Sequence, residues 1–290
     1  MNKINPAEII NKVSSNEIFY IPNCGNAGDA AIALGTYNFF KKINLSYSVL
    51  SNTINKNISG KTIILGGGGN LIEGKYNNSY NTLQRYISKN ICIILPHTIY
   101  GYKDILKHTY SNLFIFCRDY ISYNRCLAEG GNPQQIYLSD DMAFHIDKNI
   151  LDYYRKFIGS GFANCLRTDR ESLRIINIPH DNRDISRCWD GDLWHNENLT
   201  NHVVNSLFSY LCQFDTIVTD RLHVAILSAL IGRKVKLYSN NYYKNESVYN
   251  TSLRYYNNVQ FIDISKQIDL SRQSNSIYKF IKSIINFRKH

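Results

Sequence analysis

The chain has 290 residues, 44% of them hydrophobic, enough for one large or two modest globular cores. No apolar run reaches the ~18 residues of a membrane-spanning helix, and residues 1–6 hold no apolar signal core, so the expectation is a cytoplasmic protein. A formal net charge of +10 asks for an anionic partner, but the basic residues are dispersed, without zinc-finger spacing or an aromatic RNA-binding signature, which points away from nucleic acid and toward an acidic small substrate or an anionic membrane surface.

In chain order, residues 17–21 read as a strand and 29–41 as a helix with apolar Ala30, Ile32, Ala33, Leu34, Tyr37 and Phe40. Strands near 46–50 and 61–65 follow, then a helix near 79–88 and the apolar strand 91–95. A helix around 104–110, a strand at 113–117, a helix at 120–129 and a strand at 135–138 complete a first half. Continuous apolar strands separated by helices predict a parallel sheet covered on both faces.

The pattern then restarts. Strands are expected at 162–166 and 173–177, followed by an irregular stretch over 180–198 and a helix at 200–212. Next come a strand at 215–218, a helix at 222–231, a strand at 234–238, a helix at 244–256 and a strand at 259–262. A basic amphipathic helix from about residue 274 closes the chain, carrying Lys279, Lys282, Arg288 and Lys289 on a solvated face that could also touch the inner membrane surface. The interval 147–160 is the expected boundary between domains 1–150 and 151–290, with a cleft between them at the carboxyl ends of the strands. The seven cysteines lack Cys-x-x-Cys spacing and lie mostly in apolar runs, so reduced, buried thiols are expected.

Each unusual cluster follows an expected strand. In Gly25-Asn26-Ala27-Gly28-Asp29, the glycines permit tight backbone, Asn26 can cap the helix or meet a ligand, and Asp29 sits in the first turn, where the dipole favours a carboxylate. The run Gly66-Gly67-Gly68-Gly69 exposes amide donors suited to phosphate, carboxylate or sugar, though a tight packing turn would use the same residues. It is neither a dinucleotide fingerprint nor a Walker motif. His97 ends the next strand and Arg118-Asp119 the one after; a lone histidine is more often structural, and Arg118 with Asp119 could satisfy each other.

In the second half, Arg167-Thr168-Asp169-Arg170-Glu171 and Thr219-Asp220-Arg221-Leu222-His223 again follow strands. Arg221 and His223 can converge on one anion only where the chain is still turning into its helix, because residues two apart do not share a helix face. Lys244 is a candidate at the same rim, with a solvated surface lysine as the plainer reading. No Gly-x-Ser-x-Gly elbow or metal-ligand motif is present, so neither serine hydrolysis nor metal-dependent transfer is expected.

Taken in order over residues 20–245, these clusters resemble the polysaccharide pyruvyl transferase family. The resemblance implies an α/β chain of two Rossmann-like domains facing across a GT-B-like cleft. It also implies phosphoenolpyruvate as donor substrate, no separate cofactor, and a sugar acceptor that is polymeric, nucleotide-linked or lipid-linked. By matching position, Arg221 and His223 would hold the donor, His223 would supply or relay a proton, and Asp29 would take the proton of an acceptor hydroxyl. Arg118, Arg167 and Lys244 would complete the anion pocket, with Asn26, Gly28, Gly68, Gly69 and His97 contacting acceptor or donor. The family often has glutamine where His97 stands and glycine where Val224 stands. Two rivals remain at this stage: a glycosyltransferase using a sugar nucleotide, and an inactive, glycan-binding family member.

Overall fold

The computed structural model describes residues 2–15, 17–53, 57–107, 110–173 and 178–264. The first half runs α1 (Pro6–Val13), β1 (Ile18–Ile21), α2 (Ala27–Lys42), β2 (Ser48–Val49), β3 (Thr62–Leu65), β4 (Gly68–Ile72), α3 (Asn78–Tyr86), β5 (Ile91–Tyr100), α4 (Lys103–Lys107), β6 (Leu113–Cys117), α5 (Tyr120–Ala128) and β7 (Ile136–Leu138), then a 3-10 turn, Met142–His145. The second half runs α6 (Lys148–Arg155), β8 (Phe162–Cys165), a 3-10 turn at Ile185–Cys188, α7 (Glu197–Leu211), β9 (Thr216–Thr219), α8 (Leu222–Leu230), β10 (Lys234–Tyr238), α9 (Lys244–Thr251), a 3-10 turn at Leu253–Tyr255 and β11 (Val259–Ile262).

These strands form two parallel sheets. The first has seven strands in the order β2-β1-β3-β5-β6-β7, with β4 also paired to β5, and the second has four in the order β11-β10-β9-β8. β3 and β5 are apolar on both faces and covered on both, as parallel strands under crossover helices should be. The chain is thus mixed α/β with parallel sheets. Strand β5 is twice as long as its apolar core: Ile91–Ile94 pairs with β3, and residues from His97 onward pair with β4. The glycine run therefore steps into a strand rather than closing a loop.

Helix α2 sits at the centre. Small residues such as Ala30, Ala31 and Ala33 bury it on every side, the pattern of an interior helix rather than a surface one. Gly35 lets it close on Met142, because a Cβ there would collide with the Met142 carbonyl. One apolar cluster runs through both sheets, from Tyr20, Ile64 and Phe116 through α2 to Phe208, Ile217 and Leu237. The interval 147–160 carries α6, whose Tyr154 stacks on Phe208 of α7 at 5.2 Å between ring centroids.

The helix expected at 244–256 breaks at Thr251 into a 3-10 turn. Most of the strand expected at 173–177, and the closing basic helix from about residue 274, fall outside the described residues. All seven cysteines are free thiols, five of them buried. Among the described residues no helix is long and apolar enough to cross a membrane.

Candidate active site

A cavity of about 350 Å3 opens where the carboxyl ends of both sheets meet, lined by the segments after β1, β6, β8 and β9 and by the first residue of α9. This is the position at which open parallel sheets hold ligands.

The segment after β1 supplies Asp29. Asn26 caps α2, its Oδ1 accepting the Gly28 N–H at 2.8 Å, so the carboxylate falls in the first turn as its spacing predicts. Gly25 has φ +145°, and a Cβ there would collide with the Asp29 carboxylate. A loop from the second half fixes Gly25 in place. Gly25 and Gly191 exchange backbone hydrogen bonds of 2.9 and 3.2 Å, and Trp194 Nε1 donates to the Gly25 carbonyl at 3.0 Å. Burial pushes the Asp29 carboxyl up to about 7, against the pull of Arg118 and Lys244 toward its ionised form.

Arg118 and His223 meet over a buried carboxylate that sequence reasoning did not single out. Arg118 Nη1 donates to Asp141 Oδ2 at 2.7 Å, and the same oxygen lies 3.3 Å from His223 Nε2. Arg118 Nε donates to Thr98 Oγ1 at 2.9 Å. Arg118 and Asp119 do not pair with each other. Asp119 caps α5 through Ser122 and accepts the Ser247 hydroxyl of α9 at 2.8 Å. Burial raises the Asp141 carboxyl, but His223, Arg118 and the Ala143 N–H outweigh it and hold the group well below the usual carboxylate range. Burial also lowers His223, only partly countered by Asp141, so its imidazole is biased to the neutral form.

The second sheet contributes a web of ion pairs. Arg221, at the N-cap of α8, grips Asp184 with Nε at 2.8 Å and Nη2 at 2.6 Å, and Nη2 also reaches Asp169 at 2.8 Å. Arg167 spans Asp169 at 2.8 Å and Glu171 at 2.5 Å. Lys244 Nζ donates to Glu171 at 2.7 Å, and burial brings its ammonium down to about 8. Among the described residues no hydrogen bond occupies Arg118 Nη2 or Arg221 Nη1, which leaves both for an anion. At the mouth, the segment after β4 ties to the second half: Tyr76 donates to Glu171 at 2.7 Å, and Lys75 to Asn241 at 3.0 Å.

Residues 26–242 match the family described as Polysaccharide pyruvyl transferase. The chain belongs to that family. The chain is also 26% identical over 275 residues to a Bacillus subtilis (strain 168) protein named "Putative pyruvyl transferase EpsO", covering 81% of this chain and 85% of that one. A crystal structure of a functional uncharacterized protein, KP1_0663, from Klebsiella pneumoniae subsp. pneumoniae NTUH-K2044 superposes with a TM-score of 0.78 at 36% identity, over 88% of this chain and 96% of that one. Membership makes the chain a pyruvyltransferase of polysaccharide biosynthesis, with a polysaccharide acceptor implied.

Within this family member, Asp29, Asn26, Gly69, Arg118, Arg167, Arg221, His223 and Lys244 all line one cavity. Gly28 stands behind His223, where a Cβ would come 2.7 Å from Nδ1. Gly68 lies behind Asp29. His97 is fully buried under the glycine run, outside the cavity lining. Its Nδ1 is 3.3 Å from the Leu95 carbonyl, and its Nε2 is 3.3 Å from both Asn23 and Ser79, so both ring nitrogens are taken up in bracing the strand switch. Burial lowers it to about 3. Asp141, Asp184, Asn70, Asn78 and Tyr76 were not foreseen. The rule that found the other residues, a cluster immediately after a strand, would have reached Asp141, which stands three residues past β7. Among the described residues no group of three or more His, Cys, Asp or Glu side chains is placed to hold a metal ion.

Proposed function

We propose that this chain moves the pyruvyl group of phosphoenolpyruvate onto two hydroxyls of a sugar in a bacterial surface polysaccharide or its precursor, forming a cyclic ketal and releasing phosphate. The observation that carries the reading is the meeting, in one cavity, of two guanidinium donors left without a hydrogen bond among the described residues and two groups whose proton affinities shift in opposite directions, Asp29 upward and His223 downward. Arg118 Nη2 and Arg221 Nη1 suit the donor's phosphate and carboxylate. Asp29 titrates near 7, while burial biases His223 to the neutral form.

These directions reverse the roles expected from sequence. His223 takes the proton of the attacking hydroxyl as that oxygen bonds to C2 of the donor, and Asp29 gives a proton to the methylene carbon, making it a methyl group. Phosphate then leaves C2 with its bonding electrons, and the second hydroxyl adds to the resulting oxocarbenium carbon. Of the two hydroxyl protons, one ends on the methyl group and one on phosphate, so the sum balances without a cofactor. In this reading the two sheets are the Rossmann-like halves of a GT-B-like architecture, and the donor lies between them, met by Arg118 from the first half and Arg221 from the second.

Thermal melts test it. Phosphoenolpyruvate at about 100 times its Kd should stabilise the fold by about 2.7 kcal/mol, with no response to UDP and none in Arg221→Ala. A shift with UDP alone would replace this reading with a sugar-nucleotide glycosyltransferase.

A further inference from the structure

His223 carries two ring nitrogens, and the structure distinguishes them. Nε2 points at Asp141 Oδ2, 3.3 Å away, and at Arg118 Nη1, 3.5 Å away. Arg118 has donors only, so it can meet Nε2 only as a lone pair, whereas the carboxylate can meet it only as N–H. The shorter contact is to the carboxylate. Asp141 is also held rigidly, because its Oδ1 accepts the Ala143 N–H at 2.9 Å and its Oδ2 is locked by Arg118 at 2.7 Å. His223 lines the cavity, and among the described residues no hydrogen bond is made by its Nδ1, which lies beside Gly28.

We infer that Asp141 is a positioning residue: it fixes His223 as the Nε2–H tautomer and leaves the Nδ1 lone pair as the proton-accepting atom of the site. That a sugar hydroxyl supplies the proton rests on the proposed transfer; the tautomer does not. The charged groups facing the ring are Asp141 from the turn after β7, Arg118 from the end of β6 and Lys244 from α9. Asp141 is the negative one, so replacing it with an amide leaves two cations beside the imidazole. It also offers an amide N–H toward Nε2, which drives the proton to Nδ1.

The test starts with wild-type protein carrying 15N-labelled histidine. Its His223 signals, assigned by their loss in His223→Gln, are read by long-range 1H–15N correlation near neutral pH. A pyridine-type Nδ1 and a protonated Nε2 are expected; the opposite pattern overturns the inference. In Asp141→Asn the tautomer should invert, kcat should fall about 10²-fold or more, and the acid limb of kcat/KM should move to lower pH. A variant with wild-type His223 signals and an unmoved limb also overturns it. Should the variant fail to fold, the wild-type tautomer decides alone. Should the wild type prove inactive with phosphoenolpyruvate, the transfer reading falls while the resting tautomer still stands or falls by its own spectrum.

Discussion

Asp29→Asn separates the energetic cost of this site from its chemistry. Burial holds the Asp29 carboxyl near 7 rather than at its ordinary 3.8, so the folded chain binds this proton more tightly than the unfolded one. The stability it contributes is therefore full below about pH 4 and lost as pH rises through about 7. Between about pH 5 and about pH 8.5, the wild type should lose about 2.7 kcal/mol relative to a variant that cannot ionise there, at about 1.36 kcal/mol per pH unit up to the folded pKa. At about 2–3 °C per kcal/mol for a chain of this size, the melting-temperature gap in favour of Asp29→Asn should widen by about 5–8 °C. Calorimetry of both proteins in matched buffers measures it, and turnover should fall about 10²- to 10⁴-fold in the same variant. A gap that stays constant with pH, or narrows toward alkaline pH, would refute the raised pKa and with it the role of Asp29 as a proton donor.

Gly28→Ala would bring a Cβ within 2.7 Å of His223 Nδ1 and 2.9 Å of Asn26 Oδ1, the cap of α2, so the ring must retreat by about 0.7 Å to reach ordinary contact at 3.4 Å and the cap must give by about 0.5 Å. Turnover should drop about 10²-fold, with the melting temperature nearly kept, since alanine favours the helix by about 0.5–1 kcal/mol; undiminished turnover would mean that His223 is free to sit elsewhere. His97, lowered to about 3, must stay neutral to stay folded, and its contribution is lost as pH falls below about 6.5 toward 3. His97→Gln should therefore gain about 2 kcal/mol on the wild type between about pH 7.5 and pH 5, and parallel melting curves across that range would count against it. Glu171→Ala strips Arg167 and Lys244 of a shared buried partner and should cost about 3–5 kcal/mol by urea denaturation; a loss under about 1 kcal/mol would show that the ion web adds no net stability.

The sequence is a good guide wherever one strand or helix decides the outcome. The runs at Leu113–Cys117, Lys234–Tyr238 and Val259–Ile262 are strands with the expected limits, the first apolar throughout as a parallel strand covered on both faces should be, the other two with Lys234, Lys236 and Gln260 turned outward beside buried apolar neighbours. Asn26 caps α2 for a reason written within three residues. Pairings across the chain are not local in this way. Arg118 and Asp119 are adjacent, yet strand geometry sends Arg118 to Asp141 and Asp119 to Ser122 and Ser247. Arg221 and Arg167 are expected from sequence to face an anion, and the structure shows Asp184, Asp169 and Glu171 already gripping them. In sequence, His97 stands just past a strand expected to end at 95. Instead β5 runs on to Tyr100, so His97 lies within it, paired with Gly68, and its side chain is buried beneath the glycine run instead of lining the cavity.

The apolar cluster that runs unbroken through both sheets also decides how this protein breathes. Swinging the halves apart to admit a substrate would pull α7 and α8 off α2 and wet the core that Tyr37, Phe40, Phe208 and Val224 share. What holds the halves together at the mouth is polar instead, the Tyr76–Glu171 and Lys75–Asn241 contacts, whose loss would wet no apolar core. Seen that way, the molecule is less a pair of jaws than a single block with a latch, and it should melt in one step.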